Sequence, residues 1–140
     1  KAMKKSAGSI RIDLAQFREM EVFTQFSSDL DPATKELLAH GHALMEILKQ
    51  PLCHPLSMAE EVITLLVANG KLLLDLPVAD VKAFQMELLD FIKNRHSEII
   101  SQITIKKELD DSLKDMVNKA AEEFKAQWLE QKKSKTASKA

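Results

Sequence analysis

Glycine is scarce in this chain: only Gly8, Gly41 and Gly70 occur among 140 residues. A phosphate cradle needs a glycine-rich loop leading into Lys and Ser or Thr, because only bare backbone lets several N–H groups converge on one anion. No such loop can be drawn, which excludes phosphate binding of that kind within the sequence. Tyrosine is missing altogether. Val, Ile and Thr are scattered and do not alternate, and with so few glycines this favours helix over sheet. Cysteine appears once, as Cys53, so neither an internal disulfide nor a thiolate metal cluster is available, and a reducing compartment fits. No apolar run approaches the roughly 20 residues of a membrane span. The polar start, Lys1-Ala2-Met3-Lys4-Lys5-Ser6-Ala7-Gly8, has no hydrophobic signal core. Its first residue is not Met, which fits a piece of a longer chain. An excess of charge is lacking too: 20 Lys and Arg face 21 Asp and Glu, which argues against a nucleic-acid binder with a basic face.

What is present is helical periodicity, interrupted at a few strong breaks. Residues 1–9 read as a linker remnant. From Ile10 a first amphipathic helix carries Leu14, Phe17, Val22, Phe23 and Phe26 on its apolar side, with Arg18, Glu19 and Glu21 wet. A second runs from Pro32 to about Lys49, with Leu37, Leu38, Gly41, Leu44, Met45 and Leu48 as its buried stripe. Between them Ser27-Ser28-Asp29-Leu30-Asp31 forms a short polar corner with a leucine at its tip. Asp31-Pro32 is a helix start with a mechanism: the carboxylate can accept a free first-turn N–H, and Pro at the first position loses no bond.

Gln50-Pro51-Leu52-Cys53-His54-Pro55 cannot be helical, with two prolines in six residues. Ser57 and Glu60 then match a capping box, opening a third helix that Asn69-Gly70 ends, Gly being the usual left-handed terminator. Leu72 to Pro77 is an apolar turn. Val81, Phe84, Leu88, Phe91 and Ile92 mark a fourth helix, fraying near His96. Ser97 to Lys107 is a lesser helix. The last starts at Asp110 or Asp111 and reaches about Gln131, with Trp128 at a rim. Residues 132–140 are basic, small and polar, and read as a disordered tail. The sum is an all-α domain over residues 10–131, an irregular bundle of five to six helices.

Candidate chemistry is thin. His40 and His42 lie two apart on one helix, so they point to different faces and cannot chelate together. Cys53 and His54 are neighbours in sequence, which supplies no base-to-nucleophile geometry. Asp29-Leu30-Asp31 resembles a calcium loop only faintly, since Pro32 stiffens it and the central glycine is missing. No catalytic residue and no metal ligand set is assigned. The corner remains, as a capped solvent elbow or as a recognition tip.

Specific runs carry a resemblance. Lys1 to Glu19 is similar to the opening of the C-terminal domain of the alpha subunit of F-type ATP synthase. Phe23-Thr24-Gln25-Phe26-Ser27-Ser28-Asp29-Leu30-Asp31 resembles the most recognisable run of that domain. Glu46-Ile47-Leu48-Lys49-Gln50 with its proline connector continues the match, and Phe124-Lys125 fits the closing helix. The likeness covers about residues 1–130 and is specific through residue 50.

The resemblance implies a non-catalytic, regulatory subunit whose barrel crown and P-loop domain lie upstream, with ATP or ADP and magnesium bound there and no cofactor in this segment. Partners implied are the beta subunits and the gamma rotor shaft, with no nucleic acid and no membrane insertion. The complex is peripheral to the membrane, on the cytoplasmic face or its organellar equivalent. Ser28, Asp29, Leu30 and Asp31 inherit the rotor-facing corner. Gln50 inherits a place near the adenine of the non-catalytic nucleotide, although Leu52 stands where that family often has a second Gln. The rival readings are a free-standing helical interaction module and a small enzyme using Cys53 and His54.

Overall fold

In a computed structural model, the residues described are 1–26, 29–49, 55–70 and 72–137. They form seven helices: α1 (Ala2–Ser6), α2 (Ile10–Thr24), α3 (Pro32–Leu48), α4 (Met58–Asn69), α5 (Val78–Arg95), α6 (Ser97–Lys106) and α7 (Asp111–Ala137). No strand occurs among the described residues. The all-α expectation therefore stands.

The hub is α4, because its sequence is apolar nearly all round and a helix of that kind must be surrounded. Val62, Ile63 and Val67 are buried there, and the helix packs against α1, α3, α5, α6 and α7. The expected capping box starts it: the Glu60 N–H donates to Ser57 Oγ at 3.4 Å, and the Ser57 N–H donates to Glu60 Oε2 at 2.8 Å. Lys93 of α5 closes on the other carboxylate oxygen at 2.6 Å. Around α4, Val81, Phe84, Leu88 and Ile92 of α5 meet Leu113, Val117 and Phe124 of α7 in one core. The Phe84 ring lies 5.4 Å from Phe124 and 5.4 Å from Trp128, the latter edge-on at 84°. Trp128 is thus a core residue and not a rim residue.

Several boundaries differ from the sequence reading. Residues 2–6 are a helix and not a linker: Ala2 and Ser6 are buried, the Ala2 N–H donates to the Lys107 carbonyl at 3.0 Å, and Lys5 Nζ donates to the Leu109 carbonyl at 2.9 Å. At the other end α7 continues to Ala137, through the first residues of the expected disordered tail. Lys132 explains the extension, since its ammonium pairs with Asp80 and lies 4.7 Å over the Trp128 ring. Gly70 keeps a right-handed φ of −71°, so its special freedom goes unused. The left-handed cap is instead Lys107, at φ 50°, behind α6.

Candidate functional site

The corner between α2 and α3 is built by opposite means on its two sides. On the α3 side, Pro32 takes the first helical position and Asp31 the cap, with extended backbone at φ −67° and ψ 157°. The Asp31 carboxylate takes the Thr34 hydroxyl and not an aligned first-turn N–H. That hydroxyl, against desolvation and with help from the neighbouring backbone amides, holds the Asp31 carboxyl below its ordinary pKa. On the α2 side the chain leaves through a tight turn, with Phe26 N–H donating to the Phe23 carbonyl at 3.1 Å. Asp29 and Asp31 are exposed, whereas Leu30 is half-buried and so is not the free apolar tip expected of it. Ser28 lies outside the described residues.

The apolar projection at the corner comes from other residues. Val22 is 57% exposed, Phe23 67% and Phe26 84%. Their apolar character alone puts all three with Phe17 on the buried side. Helix geometry explains the correction. At 100° per residue, positions 22, 23 and 26 lie about 140°, 120° and 180° away from Phe17 around the axis. The side turned inward is Ile10, Asp13, Leu14 and Phe17, of which Asp13 and Phe17 meet α3.

Phe17 is the anchor of α2, and Gly41 is its socket. A Cβ on Gly41 would stand 2.1 Å from Phe17 Cδ2 and 2.6 Å from Phe17 Cβ, so only glycine lets α2 approach this closely. The two flanking histidines grip the same helix. His42 meets the Phe17 ring edge-on at 4.9 Å, and His40 Nε2 lies 3.9 Å from Asp13 Oδ2. Both are thus structural contacts along one seam. The buried stripe of α3 is accordingly His40, Gly41, Ala43, Leu44 and Ile47, and the expected members Met45 and Leu48 are exposed.

At the far end of α3 the chain is fastened just before the proline connector. Lys82 Nζ donates to the Lys49 carbonyl and to Gln85 Oε1 at 3.0 Å, and Gln85 Nε2 donates to Thr64 Oγ1 at 3.2 Å. Burial lowers the Lys82 pKa, with Glu46 opposing. Sequence periodicity gave no sign of this relay, since its members come from three helices. Gln50, Leu52, Cys53 and His54 lie outside the described residues. No group of three or more His, Cys, Asp or Glu that could hold a metal ion occurs among the described residues. No helix among them is long and apolar enough to cross a membrane.

Residues 1–124 match the family described as the ATP synthase alpha/beta chain, C terminal domain. The chain belongs to that family. It is also 45% identical over 133 residues to the ATP synthase subunit alpha of Acetivibrio thermocellus, a match covering 95% of this chain and 26% of that protein. The chain therefore spans about a quarter of the length of this curated relative. Among its described residues this member of the ATP synthase alpha/beta C-terminal family has seven helices where five to six were expected, the difference being α1 and its docking.

Proposed function

We propose that this chain is the C-terminal helical domain of the regulatory, non-catalytic alpha subunit of an F-type ATP synthase, with its corner at residues 28–31 turned toward the rotor. The observation that carries this is the 45% identity to an ATP synthase subunit alpha along 95% of the chain. In this reading a P-loop nucleotide-binding domain precedes residue 1, beta subunits flank the domain, and the gamma shaft turns past Ser28, Asp29, Leu30 and Asp31. The whole is a proton-translocating complex, peripheral to the membrane on the cytoplasmic or equivalent organellar face. Rotor-driven displacement of the corner reaches the nucleotide sites through a rigid element, as allosteric coupling requires.

Nucleotide and magnesium belong to the upstream part. The chain by itself is not an enzyme in this reading. Gln50 is kept as the nucleotide-proximal residue of the connector, with Leu52 weakening any hydrogen-bonded contact to adenine.

The test is made in the assembled complex. Asp29→Asn with Asp31→Asn in the parent subunit is expected to lower the torque of ATP-driven rotation or the yield of assembled complex. Unchanged rotation and assembly would remove the corner from the mechanism.

A further inference from the structure

We infer that Lys82 of α5 is a positioning residue for the nucleotide-facing connector: it holds the Lys49 carbonyl, the point from which the chain enters Gln50, and Gln85 and Thr64 aim it there. The inference rests on the reading of Gln50 as the nucleotide-proximal residue and names the side chains that set its place.

A helix ends in carbonyls that its own backbone does not satisfy, and a cation there suits the dipole. The last turn of α3 holds no basic residue, and Lys49 turns its own ammonium back to Glu46 at 2.8 Å. The cation at this end therefore comes from another helix. Lys82 Nζ donates to the Lys49 carbonyl, the last main-chain acceptor before Gln50. The corner at Asp31 begins α3, so this contact secures the opposite end of the same rigid element.

A lysine on its flexible stem reaches many acceptors, and its second bond selects one. Lys82 Nζ also donates to Gln85 Oε1 at 3.0 Å. Gln85 is 4% exposed, and its Nε2 donates at 3.2 Å to the hydroxyl of Thr64, which is buried on the hub helix α4. The bond to Thr64 fixes which way the amide faces; the reverse orientation would set an NH2 group against an ammonium. Ile63, Val67, Leu88 and Leu89 line the same spot. An apolar pair of the same shape would pack there nearly as well. What the polar pair adds is direction, since it ties one main-chain atom of α3 to both α4 and α5.

The test uses the full-length parent subunit, whose nucleotide site in this reading is the non-catalytic one, with radiolabelled ATP in equilibrium dialysis. Lys82→Met keeps the stem, removes the ammonium, and is expected to weaken ATP binding by about threefold or more, on the scale of one hydrogen bond. Gln50→Ala is expected to weaken it at least as much. In the double variant the Lys82→Met effect is expected to fall below about twofold, because residues acting through one another do not add. Full addition of the two effects would be the mark of a merely structural residue and overturns the inference. Thr64→Val with Gln85→Leu leaves apolar groups of similar shape and is expected to act in the same direction as Lys82→Met; its silence overturns the aiming relay. Circular dichroism shows that each variant is folded. If Gln50→Ala weakens binding and Lys82→Met does not, the inference falls and the reading of Gln50 stands. If Gln50→Ala leaves ATP binding unchanged, that reading falls and the inference with it.

Discussion

Two parts of this molecule are helical by different means. In α4 eight of twelve residues are buried, while in α2 two of fifteen are, Ile10 and Phe17. The hub is held from every side by α1, α3, α5, α6 and α7, whereas α2 rests mainly on α3. A helix owes most of its stability to the packing of its apolar face. The comparison therefore describes a cooperative body, α3 to α7 with α1 docked on it, and an arm, α2, attached through one seam. Local opening occurs first where few buried contacts hold an element, so the arm is expected to open without the body.

The largest effect should come from the body. Phe84 of α5 is fully buried and its ring meets Phe124 and Trp128 of α7. Phe84→Ala removes that ring from the junction of α5 and α7 and is expected to cost about 3–5 kcal/mol of global stability. Urea unfolding followed by circular dichroism reads it. A loss under about 1 kcal/mol would mean that the body is not the cooperative unit.

A smaller and more local effect is expected at the seam. In Gly41→Ala the new methyl meets the Phe17 ring and its Cβ, and not the end of a flexible side chain. Overpacking of this kind costs about 1–3 kcal/mol, offset by about 1 kcal/mol from the better helix former. Hydrogen exchange should show α2 amides losing protection while α4 and α5 keep theirs. Equal loss in all three would merge arm and body into one unit.

The same division decides what could be read from the chain before its fold was known. The body was legible: its apolar positions recur at helical spacing, and Ser57 with Glu60 announces the start of the hub. The corner was legible as a break, through Asp31-Pro32. The orientation of the arm was misread because Val22, Phe23 and Phe26 are apolar and so were assumed buried. Counting angles from Phe17 would have turned them outward, so that signal was present. Other features had no local signal. The docking of α1 rests on the carbonyls of Lys107 and Leu109, and main-chain acceptors leave no trace in side-chain pattern. The persistence of α7 rests on Lys132 reaching Asp80, residues that sequence proximity does not connect. Gly70 drew the left-handed assignment that belongs to Lys107, because glycine is the usual and not the obligatory occupant of that conformation.

Acid separates the two regions most finely, since carboxyls with a lowered pKa stand in both, Glu60 and Asp110 in the body and Asp31 at the corner. Burial raises Glu60, but hydrogen bonds from Lys93 and Ser57 outweigh it, and the net shift is downward. Lys93 is correspondingly raised, first by its bond to Glu60 and against desolvation. A carboxylate lower in the folded than in the unfolded state stabilises the fold above its unfolded pKa, about 4.3 for Glu, and that stabilisation is lost as pH falls through the lower folded value. Glu60→Gln is therefore expected to cost about 1–3 kcal/mol at pH 7. The gap between the two proteins should close as acid neutralises the native Glu60, and urea unfolding at neutral pH and in acid measures both. Asp31 is also lowered, chiefly by the Thr34 hydroxyl, but it stands in solvent at the corner where the arm joins α3. Thr34→Val should let its pKa rise toward the ordinary value in an NMR titration while the global unfolding midpoint stays where it was. A shift of that midpoint comparable to the Glu60→Gln effect would tie the corner to the body and end the distinction between them.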